Sequence, residues 1–209
     1  MSNPHVKIVV IHDDVAKNHP IIVTLEHKYG KGSVTLYNHS PEGLSYVLGN
    51  LGNEKMVVLL DKNFKDTRDI DGIKVFEKIR EKTSLVAVIL TSVSNISDIG
   101  ENGLKMLINN ELFAFESFTS DYTQILNLVD KAVENMQLRI DCVIEEWIMK
   151  HPAEKRNQPL VKLKDGRSYS MNEVLESIRK QTPIGIDFEK SLLKLSIELF
   201  SRQKLKLND

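Results

Sequence analysis

The sequence predicts an α/β fold: a five-stranded doubly wound parallel sheet, then a long connecting helix and a small ββαα tail. Three observations carry this. Short β-branched runs alternate with amphipathic stretches over the first two thirds of the chain. The stretch 121–151 then holds neither Gly nor Pro, as a long helix would. Beyond it, Asp165-Gly166 stands between two short segments, 160–164 and 167–169, a hairpin signal. The 209 residues are 41% hydrophobic and 27% charged, enough for one domain with a smaller appendage and unlike a disordered chain.

The elements follow in order. VKIVVI at 6–11 is apolar at nearly every position, as a strand covered on both faces must be, and it runs into His12-Asp13-Asp14. A helix over 15–29 has Pro20 near its first turn and Gly30 as its C-cap. Next come a strand at 33–37, a helix at 41–51, and a strongly apolar strand at 56–60 that terminates at Asp61. Residues 62–71 are polar and aperiodic, and a helix over 72–82 puts Ile73, Phe76 and Ile79 on one face. A strand at 85–90 ends at Thr91-Ser92, a helix spans 99–109, a strand spans 112–115, and a helix runs from Asp121.

In that last helix Ile125, Val129, Ala132, Met136, Ile140, Val143 and Trp147 recur at spacings of 4, 3, 4, 4, 3 and 4. A helix over the whole of 121–151 would be about 45 Å long if unbroken. Two readings stay open: a self-association seam that makes a homodimer, or a helix or broken pair of helices packed on the tail. The expected organisation is 1–135, a connector at 136–151, and a unit at 152–209. Within the tail, the Asp165-Gly166 hairpin precedes Ser170 and Glu173 at capping-box spacing. A break at Thr182-Pro183-Ile184-Gly185 and a last helix capped by Asp187 follow.

Charge and cysteine usage narrow the function. The net charge of -1 provides no field for nucleic acid or anionic lipid, so nucleic acid is disfavoured as a partner. The tail is rich in Lys and Arg, but the helix after its break opens on acids and does not read as a base-reading helix. The lone Cys142 fits a reducing compartment, and no stretch is apolar enough for a membrane span, so a cytoplasmic protein without membrane association is expected. The six histidines show no metal-ligand spacing with cysteine and read as surface or satisfied side chains. No Gly-rich loop follows a strand, which disfavours a nucleotide-binding enzyme.

Chemistry gathers at the carboxyl edge of the predicted sheet, where open parallel sheets bind ligands. Asp13 and Asp14 follow the first strand, Asp61 the third, and Thr91 the fourth. Three hard oxygen donors from separate parts of the chain suit Mg²⁺. A carboxylate so placed becomes a phosphoryl acceptor once a cation neutralises both it and the incoming oxygens.

In this order of residues the first 135 or so positions resemble the receiver domain of two-component response regulators, a flavodoxin-like fold. The separation of 30 residues from Asp61 to Thr91, and Asp71-Gly72 before the third helix, add to the likeness. The resemblance implies that Asp13, Asp14, Asp61 and the backbone carbonyl of Asn63 hold Mg²⁺. It also implies that Asp61 accepts a phosphoryl group and that the Thr91 hydroxyl bonds the phosphoryl oxygen. The donor would be a histidine kinase, a phosphotransfer protein or a small acyl phosphate. The chain departs from the family at one chemically important place: residues 112–118 contain no Lys, and Glu116 or Ser117 stands where the family has one. Residues 62–71 also make a loop about two residues longer than the family's usual one.

The expectation is a signalling protein, not an enzyme beyond accepting its own phosphoryl group, whose tail binds a protein target. The alternative is a non-phosphorylated pseudo-receiver acting as an adaptor or scaffold, and a DNA-binding regulator stands behind both.

Overall fold

A computed structural model describes residues 6–93, 96–118, 122–137, 139–163 and 165–203. The chain divides into two compact units, Met1–Leu138 and Arg139–Asp209.

Unit 1 is built on five parallel strands, β1 (Val6–Ile11), β2 (Val34–Tyr37), β3 (Lys55–Asp61), β4 (Ala87–Ser92) and β5 (Ala114–Ser117). Their spatial order is β2-β1-β3-β4-β5. Among the described residues five α-helices accompany them: α1 (Pro20–Tyr29), α2 (Ser40–Gly49), α3 (Gly72–Arg80), α4 (Glu101–Asn109) and α5 (Thr123–Gln137). The order reverses beside β1, as in a doubly wound sheet.

The middle strands are apolar throughout because both faces are covered. Val9, Ile11, Val58, Leu60, Val88 and Leu90 pack with Leu44, Phe76, Ile79 and Leu107 from α2, α3 and α4. α1 and α5 are tied together by Lys28 and Tyr29, which both reach Asp130. Full burial of each large apolar side chain contributes about 1.5–3 kcal/mol, so this core sets the stability of the unit.

Several boundaries differ by a few residues from expectation, and three of them bear on the site. α1 begins at Pro20, since Pro occupies the first helical turn and the His19 ring caps it by accepting from the Ile21 N–H at 3.4 Å. Residues 15–19 are loop, although Val15 is buried. β4 runs two residues further than expected, so Thr91 and Ser92 close the strand from within. β5 starts at Ala114, in register with Ile89.

The stretch 121–151 holds two helices, which corrects the long connecting helix and matches the other open reading, a broken pair. α5 ends at Gln137 and α6 (Ile140–Met149) begins a second helix, in unit 2. Arg139 stands between them with extended backbone, φ -75 and ψ 142, and its guanidinium grips Asp141 with two hydrogen bonds of 2.9 Å. No Gly or Pro announced this break; the buried ion pair compensates for the lost helical turn. Asp121 and Leu138 lie outside the described residues.

Unit 2 holds α6, α7 (Ala153–Arg156), the antiparallel pair β6 (Pro159–Lys162) and β7 (Ser168–Ser170), α8 (Met171–Arg179) and α9 (Pro183–Gln203). The hairpin turns at Gly166, whose φ of 91 favours glycine; Lys164 is outside the described residues. The capping box forms as expected: the Glu173 N–H donates to Ser170 Oγ at 3.3 Å, and the Ser170 N–H donates to Glu173 Oε2 at 2.7 Å.

α9 begins at Pro183 rather than after it, because Pro starts a helix as readily as it ends one. Gly185 serves packing, not breakage: a Cβ there would lie 2.1 Å from the Ser177 carbonyl oxygen. Ile144, Ile148, Val174, Leu175 and Ile178 form the core of the unit. Beside it Asp141 is fully buried between Arg139 and Arg179, and Arg179 also reaches Glu145 at 3.0 Å.

No helix among the described residues is long and apolar enough to cross a membrane.

Candidate functional site

The carboxyl edge of the sheet is assembled by strand register. Ile11 pairs with Leu60, Asp61 with Thr91, and Thr91 with Glu116. Because β1 and β3 stay aligned to their last pair, Ile11 and Leu60, the next residue on each chain, His12 just past β1 and Asp61 at the end of β3, meet side by side. Asp61 and Thr91 are both buried, at 7% and 2% exposure.

Several loops hold this edge. Asn38 Nδ2 donates to the carbonyls of His12 and Val15 at 2.9 and 2.7 Å, which pins the chain after β1. The Lys65 N–H donates to Asp13 Oδ2 at 2.9 Å, which ties the β3–α3 loop to the same carboxylate. Gly72 packs its backbone against the end of β3, where a Cβ would meet the Asp61 carbonyl oxygen at 2.1 Å. The predicted Asp-Gly motif therefore has a steric reason: only glycine lets α3 start this close to Asp61. Asp71 supplies the cap, accepting from the Ile73 N–H at 2.9 Å.

His12 Nδ1, Asp13 and Asp61 converge, each offering a ligand atom within 4.8 Å of the others. His12 Nδ1 lies 3.7 Å from both Asp13 Oδ1 and Asp61 Oδ2 and accepts from the Asp14 N–H at 3.2 Å, so a neutral ring carries its proton on Nε2. Asp61 Oδ1 accepts from the Asn63 N–H at 3.3 Å. Asp13 Oδ1 is buried with no hydrogen-bond partner.

Burial pushes the Asp61 carboxyl up to about 7, and the charges of Asp13 and Asp14 push the same way against the Asn63 and Lys62 N–H groups. Burial lowers the His12 pKa, opposed by Asp13 and Asp14. Crowded, desolvated carboxylates with an unpartnered oxygen fit a divalent cation, and Asp13 and Asp61 supply the hard donors that Mg²⁺ prefers. His12 adds a nitrogen donor.

Asp14 stands apart from this group. Its side chain is exposed and forms an ion pair with Lys65. Thr91 lies against Asp61 in the sheet, its hydroxyl donating to the Leu60 carbonyl at 3.2 Å. Asn63 is exposed, and its side-chain amide reaches Ser92 Oγ at 3.5 Å.

At the end of β5, Ser117 pairs with Ser92 and is exposed, while the half-buried Glu116 accepts from the Ser117 N–H at 2.9 Å. Where a lysine was sought, the next residue supplies an aromatic face. The Phe118 ring lies 4.4 Å from His12 and 5.9 Å from His19, and Tyr122 closes the cluster.

Sequence reasoning passed over His12, grouped with the surface histidines, and over Lys65, Asn38 and Phe118. For His12 a signal existed: it directly follows an apolar strand and is the counterpart of Asp61 at the end of the neighbouring one. The others act from loops whose conformation no periodicity encodes.

The arrangement is that of a receiver fold, and comparison with solved structures agrees. Unit 1 is similar in fold to the CheY-like response regulator receiver domain of Methanospirillum hungatei (TM-score 0.50, 16% identity, 63% of this chain and 96% of that one). It is likewise similar to the N-terminal domain of a response regulator/sensory box/GGDEF 3-domain protein from Carboxydothermus hydrogenoformans (TM-score 0.50, 14% identity, 63% and 97%). No family model matches the sequence. One curated relative, the CRISPR-associated endoribonuclease Cas13a of Leptotrichia shahii, is 28% identical over 90 residues, which are 40% of this chain and only 6% of that protein.

Proposed function

We propose that unit 1 is a phosphoryl-accepting signalling domain. The convergence of Asp13, Asp61 and Thr91 at the carboxyl edge carries this reading. A divalent cation, Mg²⁺ by its preference for oxygen, would be held by Asp13, Asp61 and the Asn63 carbonyl. It supplies charge neutralisation for the carboxylate and the phosphoryl oxygens.

An Asp61 oxygen attacks the phosphorus of a phosphohistidine or acyl phosphate; the new O–P bond forms as the bond to the donor nitrogen or oxygen breaks, and the leaving group takes the electron pair. The Thr91 hydroxyl, turned from Leu60, would donate to a phosphoryl oxygen. A histidine kinase or phosphotransfer protein is the donor this chemistry implies, with a protein target for unit 2.

A second reading has its own support. Ser117, Glu116 and Phe118 provide no cation at the end of β5, and an acid near the phosphoryl oxygens disfavours the modified state. In that case unit 1 is a pseudo-receiver adaptor whose carboxyl edge is not modified.

Titration calorimetry with Mg²⁺ tests the site. The expected result is saturable binding in the native protein, loss in Asp13→Asn and Asp61→Asn, and near-native affinity in Asp14→Asn. Equal binding by all four proteins contradicts the assignment.

A further inference from the structure

Unit 2 leaves an unusual amount of apolar surface uncovered. A groove of about 540 Å³ runs between α6, β6, α8 and α9 and is lined by apolar side chains. Val143, Trp147 and Leu160 stand at its lip, each 42% exposed or more. Phe188 and Leu192 of α9 form part of its wall. At spacings of 3 and 4, Leu195 and Leu199 carry the same stripe along α9 past the groove. Both are about half exposed.

A second stripe, Leu193, Ile197 and Phe200, lies one residue further round the helix and is 52–68% exposed. At 3.6 residues per turn the two stripes lie within roughly 200° of α9, with Glu189, Ser196 and Gln203 between them. Lys190, Lys194, Glu198 and Arg202 share the remaining arc, where Arg202 pairs with Glu198. A helix this apolar is ordinarily covered.

We propose that unit 2 is a self-association module: the C-terminal half of α9 from one copy lies along the apolar groove of a second copy, which returns the same contact. The area agrees. Val143, Trp147 and Leu160 at the groove and Leu193, Leu195, Ile197, Leu199 and Phe200 on α9 together expose on the order of 800 Å², about what each partner gives to a standard interface.

The size of the unit agrees as well. Its core is five buried apolar residues among those described, and its lone cysteine, Cys142, forms no disulfide. A domain of roughly 70 residues draws only a few kcal/mol from a single core, and oligomerisation is one of the usual supplements. Each chain carries both groove and ridge, so a two-fold pair satisfies all four surfaces. A standing exposure calls for a partner that is always present, which favours a second copy over a transient ligand. The self-association seam expected along 121–151 is thereby relocated: Val143 and Trp147 remain in it, but α9 replaces the α5 positions, of which Ile125, Val129, Ala132 and Met136 are buried in unit 1.

Sedimentation of the full chain at micromolar concentration tests this. The expected mass is twice 23.8 kDa. Trp147→Lys and Ile197→Glu, both at exposed positions, should each weaken association at least tenfold with unchanged far-UV circular dichroism. Mixing the two variants should restore a heterodimer, because one groove–ridge contact is then native and the other pairs Lys with Glu. A monomeric native chain overturns the proposal, including one whose groove binds an amphipathic helical peptide or is covered by the rest of the chain. A native dimer that both variants preserve, or two monomeric variants that fail to pair, overturns it equally. If either variant loses helicity, Val143→Lys and Leu195→Glu provide the same reciprocal test.

Discussion

His12 Nδ1 and Asp61 Oδ2 lie 3.7 Å apart, one step beyond the last aligned pair of β1 and β3. Both side chains are buried, and Asp13 stands against both. Burial and the neighbouring Asp13 and Asp14 carboxylates disfavour a charged Asp61, which sets the behaviour of the site with pH.

The Asp61 carboxyl, raised to about 7 from an ordinary value near 4, binds its proton more tightly folded than unfolded. Folding stability from this group is present below about pH 4 and is lost as pH rises toward 7. Asp61→Asn should therefore stabilise the cation-free protein at pH 8 by roughly 1–3 kcal/mol and leave it near neutral at pH 4. Hydrogen-exchange protection of β1 and β3 amides, measured at both pH values, checks this. An equal effect at both contradicts it.

Gly72→Ala forces a Cβ onto the Asp61 carbonyl. The obstacle is backbone, not a flexible side chain, so the start of α3 or the end of β3 must move. A cost of about 1–3 kcal/mol is expected, together with weakened Mg²⁺ binding. Chemical denaturation and titration calorimetry report the two. A native-like result in both removes the steric account of the Asp-Gly motif.

Asp141→Asn leaves two guanidinium groups around a buried amide. Burial pushes the Asp141 pKa up, but the hydrogen bond and charge of Arg139, then Arg179, bring it below its ordinary value. Its contribution is thus present above about pH 4 and is lost as pH falls through the lowered pKa. The variant should destabilise unit 2 by about 3–5 kcal/mol, since a broken buried pair costs more than it gained when made. Exchange protection should fall in α6 and α8 while the β1 and β3 amides remain native.

Much of the fold was legible because it is written in periodicity. Two-sided burial makes β1, β3 and β4 continuous apolar runs, and Asp61 and Thr91 fall at their ends by strand length alone. A broken pair of helices over 121–151 was one open reading, but the place of the break at Arg139 was not legible: the apolar stripe passes through it in register, and the Asp141 carboxylate that Arg139 and Arg179 share there is a tertiary arrangement. Within the site, Asp13 and Asp61 could be paired from sequence, whereas the outward turn of Asp14 depends on Lys65 in an aperiodic loop. Pro183 and Gly185 read as a break because their backbone roles, helix start and close approach, look identical to a turn in one dimension.

The most direct test of the account is the intact mass of the purified protein after incubation with Mg²⁺ and a small acyl phosphate. The account predicts one added phosphoryl group, about 80 Da, absent from Asp61→Asn and from a sample without divalent cation. An unchanged mass under conditions where Mg²⁺ saturates the site, or an addition that persists in Asp61→Asn, would contradict it.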